Sequence, residues 1–177
     1  ATMTRRISRA KQQIKGSGVP FAMPPGGERS ERLGAVLHVL YLIFNEGYAS
    51  TSGPDLQRKE LSAEAIRLAR LVHRLLPDDG EATGLLALML LTDARRPARV
   101  RDGHVVPLGE QDRSLWDLDA VTEGARLLDA EPTSGPYAVQ ARIALCHDVA
   151  ARSDDTDWAA IADLYTLLPA TPVVELN

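Results

Sequence analysis

Arg5, Arg6, Arg9, Lys11 and Lys15 fall within the first fifteen residues, and no acidic residue accompanies them. Closely spaced guanidinium and ammonium groups can neutralise successive phosphates, and arginine can take a guanine edge in bidentate fashion. This head carries +5, which leaves −9 for the rest of a chain whose net charge is −4. A basic head on an acidic body points to a polyanion contact at one end and a different task in the body. A solvated helix face that happens to be basic is the plainer reading of the same charges.

A second polar group follows an almost wholly apolar run. Asn45, Glu46 and Tyr48 close the stretch Leu33–Phe44, so the amide and carboxylate are expected to be drawn inward. A buried carboxylate needs a paired cation. Arg95, Arg96 and Arg99 are the nearest suppliers by type, with Arg113 next, and Asp112 beside it belongs to the same polar group. The expectation is a polar lock between the first long helix and the segment around residues 95–113, with a ligand or partner pocket as the alternative.

Other combinations do not converge on a reaction. Cys146, His147 and Asp148 are consecutive, so on a helix they point in different directions. His38 and His73 sit inside helical patterns. No Cys/His spacing suits zinc. Gly16-Ser17-Gly18 and Pro25-Gly26-Gly27 follow no strand, as a phosphate-binding loop would require. The chain is therefore read as a non-enzyme without cofactor or metal.

The elements that must position these residues are helices. Hydrophobic residues make up 45% of the 177 and aromatics only 5%, so Leu, Ala and Val supply the apolar mass. Thr2–Lys15 carries Met3, Ile7, Ala10 and Ile14 on one stripe, with the basic residues off it. Residues 17–27, rich in Gly and Pro, read as a linker between a short head (1–16) and a body (28–177). A second helix is expected over Glu28–Glu46, apolar nearly all round from Leu33 to Phe44 and so deep in the body.

Further helices are expected over Gln57–Leu76, then up to Asp93 behind an Asp78 or Asp79 cap, and over Ser114–Ala130, Tyr137–Arg152 and Asp157–Leu168. Their inward faces are read as Leu61, Ala65, Leu68, Val72 and Leu75, then Leu118, Val121, Ala125 and Leu128. Cys146, Trp158 and Ile161 are among those expected inward in the last two. The final residues read as the start of an eighth helix. Val100 to Val106 predicts a small hairpin around Asp102-Gly103.

Ala65–Leu91, Ala120–Cys146 and Ala159–Asn177 each run helix, break near Pro, helix. That alternation predicts an all-α, tetratricopeptide-like helical repeat with a hairpin insertion. The single cysteine excludes an internal disulfide and suits a reducing, cytoplasmic setting. No apolar run approaches the roughly 20 residues of a membrane span, so no membrane role is expected. Both ends read as cut within helical pattern.

The stretch Ala1–Lys15 resembles the recognition helix of region 4 of a sigma-70 family RNA polymerase sigma factor. The body resembles the C-terminal, tetratricopeptide-like extension of an extracytoplasmic-function subgroup. The segments that carry this are residues 40–48, 63–68, 85–91, 94–99, 111–117 and 172–177. Where that subgroup has Asp-Gly-Glu-Leu in the hairpin, this chain has Asp102-Gly103-His104-Val105. The resemblance implies a transcription initiation factor with promoter DNA and core RNA polymerase as partners. It implies that Thr2, Arg5, Arg6 and Arg9 face DNA at the −35 element. It also implies a body that regulates sigma activity, taking a protein or peptide in its helical groove. From a different class, the alternative is a stand-alone helical scaffold or ligand-sensing module with no DNA role.

A recognition helix without the first helix of its motif has lost its packing partner. Fluorescence anisotropy on this 177-residue chain should therefore give weak, salt-sensitive DNA binding, with Kd above about 10⁻⁶ M at physiological salt. Tight, sequence-specific binding under those conditions would contradict this account of the head.

Overall fold

Eleven of the fifteen residues in Gly80–Ala94 are buried, and from Leu85 to Leu91 the helix is apolar all round. The computed structural model describes residues 3–18, 26–49, 58–129 and 135–169, and the fold is organised about this segment. It is all-α. In chain order the helices are α1 (Met3–Gly16), α2 (Gly26–Tyr48), α3 (Lys59–Leu75), α4 (Gly80–Ala94), a single turn α5 (Arg96–Arg99), α6 (Leu118–Asp129), α7 (Pro136–Val149) and α8 (Trp158–Tyr165).

Contacts divide the chain between Gly34 and Ala35, within α2. The first unit holds α1 and the first turns of α2. Arg5, Arg9, Lys11, Lys15 and the stripe residue Ile14 are all exposed there. In the second unit α4 packs against α3, α6 and α7, and α8 packs on α7. Ala87, Leu88, Leu91, Leu128, Ala141 and Ala144 form a core cluster, with Tyr41 and Tyr137 leaning on it.

Helix starts follow from the sequence. Asp79 caps α4 by accepting the Ala82 N–H at 2.8 Å, and Asp157 caps α8 by accepting from Ala160 at 2.9 Å. Pro136 begins α7, where its missing N–H costs nothing. The first amides of α7 are capped from another helix: Glu81 Oε1 accepts from Tyr137 N at 3.0 Å and Ala138 N at 3.4 Å. Burial pushes the Glu81 carboxyl above its ordinary pKa, against the pull of those amides.

The hairpin forms as expected. Val100–Arg101 pairs antiparallel with His104–Val105, Val100 opposite Val105. Asp102 and Gly103 both have positive φ, 52° and 76°, the double left-handed turn for which Asp-Gly is suited.

Three expectations are corrected. The helix α2 is not deep: Leu37, Leu40 and Phe44 are buried, but Val36, Val39 and Leu42 are 48%, 53% and 53% exposed. Only one flank of α2 meets the body, and the deepest burial falls to α4, which packs against three helices. The helix expected from Ser114 starts at Leu118, because Asp112 first folds Arg113–Leu115 into a 3-10 turn by accepting from Ser114 N at 3.0 Å. Leu75, Leu118 and Trp158 are exposed rather than inward; Trp158 lies edge-on to the His147 ring. The eighth-helix expectation falls outside the described residues.

Two glycines separate packing from helix propensity. A Cβ on Gly84 would meet Ala138 N at 2.5 Å and its Cα at 2.7 Å, so α4 and α7 touch backbone to backbone. A Cβ on Gly34 would meet nothing. In urea denaturation Gly84→Ala should lose roughly 1–3 kcal/mol despite its better helix propensity. Gly34→Ala should gain about 0.5–1 kcal/mol. Equal and favourable effects would rule out the close approach.

Candidate functional site

The polar residues singled out by sequence are brought together in part. They surround the turn α5 and fall into two clusters rather than one lock.

The first cluster joins α2 to α3 and α5. At the end of α2 the residue facing the body is Gly47, not Glu46: a Cβ on Gly47 would strike Ser62 N at 2.4 Å. The Gly47 carbonyl, near the helix end where intrahelical donors run out, accepts from Arg58 N at 2.8 Å and from Arg96 Nη1 at 3.3 Å. Arg96 is buried. Its Nη2 also donates to Ser62 Oγ at 2.6 Å, and its Nε to Asp93 Oδ1 at 2.8 Å. The Tyr48 ring completes the cluster, with the Arg99 guanidinium 4.3 Å and that of Arg96 5.4 Å from its centroid. Arg99 Nη1 reaches the Tyr48 hydroxyl at 3.4 Å.

The second cluster lies at the last turn of α7. Arg95 Nε donates to Asp148 Oδ1 at 2.6 Å and its Nη2 to the Ala144 carbonyl at 2.8 Å. Arg113 Nη1 donates to the carbonyls of His147 and Ala150 at 2.7 and 2.9 Å. Two arginines thus satisfy carbonyls where a helix runs out of donors, and their charge suits its negative end. The buried Trp116 ring stands between them, 4.5 Å from the Arg113 guanidinium and 5.7 Å from that of Arg95.

The expected pairing of Glu46 is corrected. Glu46 is half-buried, and its oxygen lies 3.4 Å from Arg58 rather than beside Arg95, Arg96 or Arg99. The reason is helical phase: Gly47 occupies the inward position, which leaves Glu46 on the flank facing Arg58. Asn45 contributes its carbonyl, which accepts from Ala49 N at 2.8 Å. Asp112 is exposed and serves its own turn; hydrogen bonds from Ser114 hold its carboxyl below the usual range.

The buried carboxylate is instead Asp148, whose side chain is 0% exposed beside an Arg95 that is 11% exposed. Burial pushes the Asp148 carboxyl up to about 6, outweighing the attraction of Arg95 and Arg113. Its Oδ2 receives no hydrogen bond among the described residues, which leaves the charged form poorly solvated. Burial and the same two arginines hold His147 below its ordinary pKa.

One sequence signal could have found Asp148: with Ala141 and Ala144 it continues the buried stripe of α7 at helical spacing. Ser62 and Gly47 carry no such signal, because their roles depend on two chain segments meeting. Of the four residues expected on DNA, Arg5 and Arg9 are exposed on α1. Thr2 lies outside the described residues, as does the side chain of Arg6. Among the described residues no group of His, Cys, Asp and Glu could hold a metal ion, and no helix is long and apolar enough to cross a membrane.

Residues 32–131 match the model of a family of unknown function, DUF6596, which is more than half of the chain. The chain is also 44% identical over 184 residues to an uncharacterized protein of Rhizobium meliloti (strain 1021). That alignment takes in 100% of this chain and 44% of the relative, so the chain spans less than half of the relative's length. No solved structure matches it. The chain belongs to the DUF6596 family.

The raised Asp148 pKa has a pH signature. Between about 4 and 6 the folded chain holds this proton and the unfolded chain releases it, so stability falls as pH rises through that window. Asp148→Asn cannot titrate there. Urea unfolding at pH 4 and pH 7 should show wild type losing up to about 3 kcal/mol more than the variant over that interval. Parallel pH profiles for the two proteins would refute a raised pKa.

Proposed function

We propose that this member of the DUF6596 family is part of an extracytoplasmic-function sigma factor: the last helix of region 4 followed by a regulatory, tetratricopeptide-like domain. The observation that carries the reading is α1. It bears a cationic cluster without acids, Arg5 and Arg9 on it are exposed, and it belongs to a different contact unit from the acidic body. On this reading the arginines of α1 meet phosphates and base edges at the −35 element, with Thr2 and Arg6 beside them. Core polymerase and the −10 element are engaged by a region 2 elsewhere in the protein. The relative's greater length leaves room for such a region.

The body's part in this proposal is protein contact within a cytoplasmic transcription complex. Helix pairs α3/α4 and α6/α7, with α8 next to α7, follow the order expected of stacked repeats. Such a stack presents a groove to a peptide, to a partner protein or to the other sigma regions. Nothing in this mechanism asks for bond making or for a cofactor.

The test uses the full-length protein. Added to core RNA polymerase on genomic DNA, it should direct run-off transcripts that core alone does not make. Arg5→Ala with Arg9→Ala should reduce those transcripts at least tenfold, since each lost bidentate contact is worth about 1–3 kcal/mol. Removing residues 35–177 should change their yield. A protein that neither binds core nor directs transcription is instead a scaffold or sensor.

A further inference from the structure

We infer that the cleft between α3, α4 and α6 is a binding site for an organic anion: a carboxylate or phosphate head on a short apolar body. This inference stands whether or not the chain acts in transcription.

The cleft is open to solvent and offers about 400 Å³, within the size range of small-molecule sites. Its walls combine three arginines with an apolar lining. Arg70, Arg74 and Arg126 line it together with Leu86, Leu127 and Pro77. Glu123 is the one acid there, and Arg70 is already committed to it through a two-pronged ion pair that includes Nη2 to Oε2 at 2.8 Å. Arg74 and Arg126 are left without an ion pair or hydrogen bond among the described residues, although they come from different helices and the chain as a whole is acidic. Two guanidinium groups lining one cavity raise its positive potential, and an anion held between them would meet both. Their planar forks suit the paired oxygens of a carboxylate or phosphate.

The cleft also carries polar groups that can orient a bound head. His73 Nδ1 lies 3.0 Å from the hydroxyl of Thr83, which sits on the buried helix α4. Leu86 is 2% exposed and roots the apolar wall in the core, so that wall is held by packing. A body of a few carbons is therefore needed to use the cavity, and a bare anion would leave the apolar wall wet.

The probes are benzoate and phenyl phosphate, with inorganic phosphate and neutral benzamide as controls. Each is titrated into the isotope-labelled 177-residue chain and followed by amide chemical shifts. At least one organic anion should give saturable shifts in α3, α4 and α6 with Kd below about 5 mM. Inorganic phosphate and benzamide should bind at least about tenfold more weakly. The tighter of the two anions identifies the head group. Arg74→Gln with Arg126→Gln, both at exposed positions, should keep the melting temperature and weaken binding at least about tenfold. Glu123→Gln should free Arg70 and tighten binding of the same anion about threefold or more. Absence of saturable shifts would overturn the inference. So would benzamide or inorganic phosphate matching the organic anions, a double variant that binds unchanged, or no tightening in Glu123→Gln.

Discussion

The approach of α4 to α7 at Gly84 sets the terms for the rest of the body. With no Cβ between them, the backbone at Gly84 lies against Ala138, and α4 can be covered on that side without a gap. Gly124 plays the same part for α6, where a Cβ would press on the Leu91 side chain at 2.8 Å. A helix enclosed by three neighbours has no flank on which to keep charged groups, so those groups gather at its two ends. At the N-terminal end Glu81 caps α7; past the C-terminal end Arg95 and Arg96 reach α7 and α2–α3 respectively. Close packing in the middle thus explains why the polar contacts that orient neighbouring helices are found at the ends.

The two arginines that follow α4 illustrate how charge is handled in such a place. Arg96 divides its donors among a carboxylate, a hydroxyl and a carbonyl and lays its plane near the Tyr48 ring. A lysine ammonium could not serve these separate directions at once. Arg95 makes a short contact with Asp148, yet the carboxylate is worse solvated there than in water because one oxygen is left without a donor. The pair is therefore better understood as orienting α7 than as a large source of stability, in keeping with the general balance of buried ion pairs. Its titration near pH 6 follows from that imbalance.

Much of the architecture was legible in the sequence because it rests on local signals. Helix periods, the cap at Asp79 and the Asp-Gly hairpin each depend on residues close together in the chain. The depth of α2 was misread because an apolar run reports what a helix can bury, not how many neighbours it has. The same limit applies to the polar cluster. Sequence picked out Tyr48, Arg95, Arg96, Arg99 and Arg113, which do meet partners, but assigned the buried carboxylate to Glu46. That position depends on helical phase relative to Gly47, and the true buried acid, Asp148, lies a hundred residues further along the chain. The cleft cations Arg74 and Arg126 read as surface charges on separate helices, and only the packing of α3 and α6 against α4 brings them to one cavity.

The extent of the family match bears on where a shared task would reside. Residues 32–131 include the Arg96–Tyr48 cluster and every residue lining the cleft, but neither α1 nor Asp148. The matched range thus spans the part of the body around α4: the turn that fixes α2 and α3, and the residues of the cleft between α3, α4 and α6. The DNA-reading head proposed for α1 and the anion site proposed for the body are compatible, since they draw on different residues and opposite overall charge. On that reading a head of +5 would need only to be presented to phosphates, and an acidic body would not compete for the same polyanion. Within such a body the cleft proposed to take an anion sets Arg74 and Arg126 beside an apolar wall of Leu86 and Leu127, so a ligand with a short apolar body gains a contact there that a phosphate backbone does not.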